Sequence, residues 1–356
     1  MNAYIVYLSA IVVGAILFYI SFSKDKLSYR FRAVYIFYCG VATFLLSALR
    51  HFSIGSDTFT YVDSFLLYEY RSFSDVLAIK FDKGYYALVK LISMVSSNYT
   101  VFLSVFAFIF TVSICVYIYR YSKEPFLSII MLLSLGYLYF SMTGLRQTAA
   151  MSILLFSYKF VRERKLIRFL LLILLAYQFH NTSIVFLIAY PLAYLKVNWK
   201  HVTGVVAALI VAFMYKSYVD YFLFEVLNWE RISHYKNYTD TITLSGFIIQ
   251  AFIVAFCLVY YKNVTKEEPK DISLFNMVFL GLVFQAFTPI VSQFFRVSMY
   301  FSIANIALVP NAIVSGKNNN LKTIIYSTVM ILLVAYYLFF SMDSPFFYPY
   351  RFFWSE

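Results

Sequence analysis

The chain is 356 residues long, 62% hydrophobic and 13% charged, with a net charge of +12 and a mean hydropathy of +0.75. A soluble globular protein carries roughly 45–50% apolar and about 25% charged residues, so a soluble enzyme, a disordered chain and a nucleic-acid-binding domain are excluded. The apolar content suffices for about ten to twelve spans of ~20 residues each. The positive balance needs no polyanionic partner, because the cytoplasmic loops of membrane proteins collect Lys and Arg.

The first apolar run, 3–22, has neither a basic leader nor a small-residue cleavage site after it, so it reads as a retained span rather than a signal peptide. The second, 33–49, ends at Arg50-His51-Phe52-Ser53-Ile54-Gly55-Ser56-Asp57-Thr58-Phe59-Thr60-Tyr61. There a cation and a carboxylate flank Gly55, which lets the backbone turn tightly or approach a ligand closely. Asp82-Lys83-Gly84-Tyr85-Tyr86 then reads as a helix start. It leads into an amphipathic segment, 84–97, that is too short to span and reads as an interfacial or re-entrant helix.

Spans 99–119, 126–143 and 145–160 follow. Thr143-Gly144-Leu145-Arg146-Gln147-Thr148 joins the last two with almost no loop. An arginine at membrane depth costs at least ~2.5 kcal/mol unless it meets a partner or water. The short spans 166–180 and 183–195 break at Gln178-Phe179-His180-Asn181-Thr182-Ser183. His180 there reads as a general base, a phosphate donor or a satisfied bundle residue. Spans 202–218, 245–261, 273–290, 297–315 and 322–341 complete the series, and Gln293-Phe294-Phe295-Arg296 puts another lone arginine at a tight outer turn. The fold class is an all-α polytopic membrane protein of about twelve transmembrane helices plus the short helix 84–97, in one integral membrane domain, 1–356.

Sidedness follows from charge. The loops 23–32, 120–125, 159–168, 196–201, 262–272 and 316–322 hold 18 Lys/Arg and 6 Asp/Glu, whereas the rest of the chain holds 11 of each. The positive-inside rule places that basic set in the cytoplasm and both termini outside, with long outer loops at 50–98 and 219–244. Cys39, Cys115 and Cys257 all lie in apolar runs without paired spacing, which argues for buried small residues and against a disulfide framework or a zinc site. No Asp-x-Asp pair, Walker loop or His/Cys metal spacing is present, so neither a metal nor a nucleotide cofactor is expected.

Arg50, Arg146, His180 and Arg296 come from four separated segments and end on the outer side. Cations gathered there point to an anionic headgroup, and the planar fork of arginine suits a phosphate or diphosphate.

The ordered motifs around these residues resemble the EpsG family of polysaccharide polymerases, related to the Wzy-type O-antigen polymerases. They are Arg-His-x-x-x-Gly-x-Asp-Thr-x-x-Tyr from Arg50 to Tyr61, Lys83-Gly84-Tyr85-Tyr86, Gly144-Leu145-Arg146-Gln147-Thr148 and Phe179-His180-Asn181-Thr182-Ser183-Ile184. Together they cover roughly residues 45–190, and Gln293–Arg296 and the hydropathy extend the likeness. The resemblance implies a multi-pass protein of the bacterial inner membrane with its active face in the periplasm. Its substrates would be polyprenyl-diphosphate-linked oligosaccharides as donor and acceptor, with membrane lipid and a chain-length regulator protein as further partners and no nucleic acid.

The expected mechanism is metal-independent glycosyl transfer onto a lipid-linked repeat unit. Arg146 and Arg296 hold the donor diphosphate, and Arg50 joins them or orients Asp57. The base that takes the acceptor proton is Asp57 or His180, with Asp57 slightly favoured. Gly55, Thr58, Tyr61, Gly84, Tyr85, Gly144, Gln147, Asn181 and Gln293 support the site. Two other readings fit the composition. A lipid-linked oligosaccharide flippase would favour repeated halves and charges at mid-membrane depth, and the chain has no internal repeat. An O-antigen ligase would favour one dominant late outer loop, whereas the motif-rich loop here comes early.

Overall fold

The computed structural model describes residues 11–12, 29–196, 198–215, 218, 244–288, 293–341 and 350–355. Among them the chain is 81% helical and has no strand. In chain order the helices are α1 (Tyr29–Ala48), α2 (Thr58–Tyr68), α3 (Phe73–Ala78), α4 (Lys83–Val95), α5 (Tyr99–Tyr121), α6 (Pro125–Ser134), α7 (Tyr137–Thr143), α8 (Leu145–Arg162) and α9 (Leu166–Phe179). A 3-10 run, Asn181–Ile188, follows. Then come α10 (Ala189–Leu192), α11 (Trp199–Met214), α12 (Ser245–Val259), α13 (Tyr261–Glu267), α14 (Ile272–Ala286), α15 (Phe294–Ser302), α16 (Asn305–Val314) and α17 (Asn319–Tyr336).

Local chemistry sets the boundaries. The Asn98 side chain accepts from the Thr100 amide at 2.8 Å to start α5, and Glu124 accepts from the Leu127 amide at 2.7 Å to start α6 with Pro125 in the first turn. Ser72 and Asp75 form a reciprocal capping box at α3. Gly136, at φ +76°, ends α6 and lets α7 leave at 52°.

The apolar helices confirm a membrane-type chain and correct the span count. Three helical stretches are long and apolar enough to cross alone: Phe31–Ala48, Tyr99–Tyr121 and Asn319–Phe339. Counting each bent pair as one span raises the number to six, the pairs being α6 with α7, α12 with α13 and α15 with α16. Twelve spans are therefore not what the described residues show. The expected spans at 166–180, 202–218 and 273–290 fold as helices of 14, 16 and 15 residues. At 1.5 Å per residue these reach only about 21–24 Å, against a hydrocarbon thickness of about 30 Å. The expected span 183–195 is a 3-10 run followed by one turn of α-helix. The expected span 3–22 (apart from residues 11–12), the outer loop 219–244 up to residue 243, and the tail at 342–349 lie outside the described residues.

The chain divides into two compact units, Met1–Ile184 with Lys317–Glu356, and Val185–Gly316. In the first, α1 and α8 pack on α5, α9 packs on α8, and α17 on α6. The segment expected to be interfacial is α4, which packs on α2, α3, α5 and α9. It buries Tyr85, Val89, Ile92 and Ser93, a helical stripe. Leu91, Met94 and Val95 on its other side are exposed, the amphipathic division that a membrane-surface helix needs. Its buried face joins a core with Val62, Phe65, Phe102 and Leu145. The chain's last described residues strap this unit: Phe352 bridges Arg50 in antiparallel fashion, and the Phe353 amide donates to the Leu49 carbonyl at 2.9 Å.

In the second unit α14 packs on α12 and α15. A Cβ on Gly281 would come within 2.9 Å of Ser302, and the Ser298 hydroxyl donates to the Gly281 carbonyl at 2.8 Å. Small residues at a helix crossing let the backbones approach closely. Buried amide contacts join its helices, including Asn305 to Gln250 at 2.8 Å and Asn311 to Asp271 at 3.0 Å.

Candidate functional site

The motif region of the first unit is built around the break between α7 and α8. The Met142 carbonyl, at the end of α7, receives Nη2 of Arg50 at 3.0 Å and lies 3.0 Å from Oγ1 of Thr58. Thr58 Oγ1 is also 2.7 Å from the Ile54 carbonyl, so its single proton serves two acceptors. Arg50 Nη1 donates to the Ser47 carbonyl. The turn that delivers Thr58 depends on Gly55 at φ +99°, where a Cβ would sit 2.5 Å from Thr58 Oγ1. Arg50 is 1% exposed and its guanidinium is engaged with backbone carbonyls. In this geometry Arg50, Gly55 and Thr58 dock the first motif onto the α7–α8 break.

One turn further, Arg146 emerges from the start of α8. Its Nη1 lies 3.0 Å from Oδ2 of Asp82, with side-chain exposures of 34% and 1%. The guanidinium carbon is 5.9 Å from the ring centroids of both Tyr61 and Tyr85, so two phenol rings flank the cation. Burial pushes the Tyr85 hydroxyl well above its ordinary pKa, which keeps it a protonated donor. Asp82 holds the other side of the site as well. Its Oδ1 accepts from the Asn181 amide at 3.2 Å, and its Oδ2 is 4.0 Å from Nδ1 of His180.

Three motifs thus meet at one carboxylate: the head of α4, the head of α8, and the His180–Asn181 turn after α9. Gly84 makes the approach feasible, since a Cβ there would lie 2.8 Å from Gln178 Cβ at the end of α9. Gly144 packs against Phe140, whose ring would be 3.0 Å from an added Cβ, and Gln147 is buried at 2%. Asp57 occupies the N-cap position of α2, and its Oδ1 accepts from the Ser56 hydroxyl at 3.1 Å. Its carbonyl accepts from the Tyr61 amide at 3.1 Å, which places Asp57 one turn before the ring that flanks Arg146. Gln293 and Arg296 belong to the second unit, at the start of α15, where Arg296 lies 5.7 Å from the Phe295 ring centroid.

Asp82 is the residue that sequence reasoning leaves without a role. It is buried, it sits in the left-handed region at φ +55°, and it touches both Arg146 and the turn of His180. Its signal in the sequence is only a carboxylate directly before Lys83-Gly84-Tyr85-Tyr86, which equally well starts a helix.

The model of the EpsG family matches residues 33–352, nearly the whole chain. The chain belongs to the EpsG family. This is a Wzy-type polymerase family, which gives the chain a polysaccharide polymerase-type function in the membrane, with lipid-linked oligosaccharides as the class of substrate. No curated protein and no solved structure matches the chain.

Proposed function

We propose that the chain is a glycosyltransferase of the bacterial inner membrane that polymerises O-antigen or exopolysaccharide repeat units on the periplasmic face. The donor is a polyprenyl-diphosphate-linked glycan and the acceptor is a lipid-linked repeat unit. The observation that carries this reading is the half-exposed Arg146 guanidinium, anchored on buried Asp82 between two tyrosine rings and close to His180. A fixed cation beside a titratable base is what departure of a diphosphate from a sugar requires.

In the proposed mechanism Arg146 binds the diphosphate and stabilises the charge that grows as it leaves. Its guanidinium takes the place of a divalent ion. Of the two candidate bases, the geometry favours His180, because it shares its carboxylate neighbour with Arg146. Asp57 then serves the acceptor side next to Tyr61. Arg50, held on the carbonyls of Ser47 and Met142, supports the loop that carries Asp57.

Deletion of the chain followed by gel analysis of the surface glycan tests the reading. The expected result is loss of the ladder with single repeat units still attached to the terminal acceptor. Complete loss of surface glycan, with lipid-linked units trapped inside the cell, would assign the chain to transport instead.

A further inference from the structure

We infer that Asp82 is the positioning residue of this site, setting both the Arg146 fork and the His180 ring for glycosyl transfer. The inference rests on the polymerase reading and deepens it by giving the buried carboxylate a role of its own. A buried carboxylate is costly unless paired and hydrogen-bonded, and Asp82 is 4% exposed. Each of its oxygens faces a different motif: Oδ2 meets Arg146 at 3.0 Å and Oδ1 meets the Asn181 amide at 3.2 Å. The backbone beneath it is held at φ +55°, ψ +35°. Among the described residues only Asp82 and Arg164 combine a side chain with a positive φ. Such strain persists where the surroundings over-determine it, and it clusters at working sites.

The consequence is chemical. An arginine that already touches a carboxylate keeps one edge of its fork fixed, so the rest is presented without loss of rotamer freedom when phosphate arrives. Nδ1 of His180 faces the same Oδ2 at 4.0 Å. One water, or a small closing movement on substrate binding, brings the two within hydrogen-bonding reach. A carboxylate opposite Nδ1 holds the proton there, which leaves Nε2 as the acceptor. The acceptor hydroxyl then gives its proton to Nε2, and its oxygen bonds to the anomeric carbon of the donor. The bond from that carbon to the phosphate oxygen breaks, with the electron pair leaving on the diphosphate beside Arg146.

The test uses the full chain purified and reconstituted with lipid-linked repeat units, read as kcat and KM for polymer formation. Asn and Gly are the residues most at ease in the left-handed region, so Asp82→Asn and Asp82→Gly are the variants to compare. The expected result is a fall in kcat of about 10²-fold, the size of a lost general base, with KM changed far less. The double variant Asp82→Asn with His180→Gln is expected to be slower than His180→Gln alone by much less than the factor that Asp82→Asn costs in the wild-type chain, because only the positioning of Arg146 is then left to lose. A folded Asp82 variant with wild-type kcat overturns the inference, and so does a double variant whose losses multiply. If neither single variant folds, Asp82 is a structural ion-pair residue and the positioning role is refuted. A wild-type protein that makes no polymer in this assay refutes the polymerase reading itself, a result distinct from all of these.

Discussion

Arg146 and Arg162 stand at the two ends of α8 and carry the same charge into different surroundings. Arg146 pairs with a buried carboxylate and lies between Tyr61 and Tyr85. Arg162 lies over the Tyr121 ring, 5.2 Å from its centroid, in a basic stretch expected to set orientation. A lysine keeps the charge at either place but cannot span Asp82 and two phosphate oxygens with one planar group. Arg146→Lys is therefore expected to remove most of the glycan ladder, and Arg162→Lys to leave it intact at equal protein level. Equal ladders from the two variants would take the phosphate role away from Arg146. Arg146 and His180 are legible in the sequence because each interrupts an apolar run, where a polar residue needs a reason. Asp82 is not legible, because it lies in a polar loop where a carboxylate needs none; only the fold buries it. Arg50 is legible as a residue but not in its environment, since its carbonyl partner at Met142 is 92 positions away.

At the scale of elements, the turn from Arg50 to Thr58 acts as a plug for the α7–α8 break, and Gly55 is its weak point. An alanine there meets two penalties, a φ of +99° and a Cβ 2.5 Å from Thr58 Oγ1 and 3.0 Å from the Met142 carbonyl. Gly136 shares the first penalty at φ +76° but has nothing within 4 Å of an added Cβ. Gly55→Ala is thus expected to destabilise the purified protein by about 1–3 kcal/mol, and more than Gly136→Ala does. Thermal melting in detergent measures both, and equal midpoints would mean that the contact with Thr58 does not hold the turn. The same break explains why helices were easier to read than spans. Hydropathy locates apolar runs, and the helical content follows from them. It does not see that Gly136 bends one run by 52° or that His180 ends another after 14 residues of helix. Nor does it separate a run that crosses the bilayer from a shorter one packed inside the protein, because both are equally apolar.

For the whole molecule, the decisive property is which side the site faces. Helix α8 has 18 residues and so spans about 27 Å, close to the thickness of the hydrocarbon core. Arg146 and Arg162 therefore lie near opposite ends of this helix. Arg146 is joined to Asp82, which belongs to the charge-balanced loop 50–98, whereas Arg162 opens the loop 159–168 with its five Lys/Arg residues. The positive-inside rule assigns the second loop to the cytoplasm, and the proposed function therefore expects the site to face the periplasm. Single cysteines carry this to experiment. Ser72 and Arg164 are both exposed, whereas native Cys39 and Cys257 are buried and Cys115 is half-buried, so each variant is read against the labelling of the wild-type chain. A membrane-impermeant thiol reagent added to whole cells with a permeabilised outer membrane is expected to label Ser72→Cys and to miss Arg164→Cys until the inner membrane is opened. The opposite pattern would put Asp82, Arg146 and His180 on the cytoplasmic side. Repeat units already carried to the periplasm could not reach them there, and the proposed site would have to be abandoned with the topology.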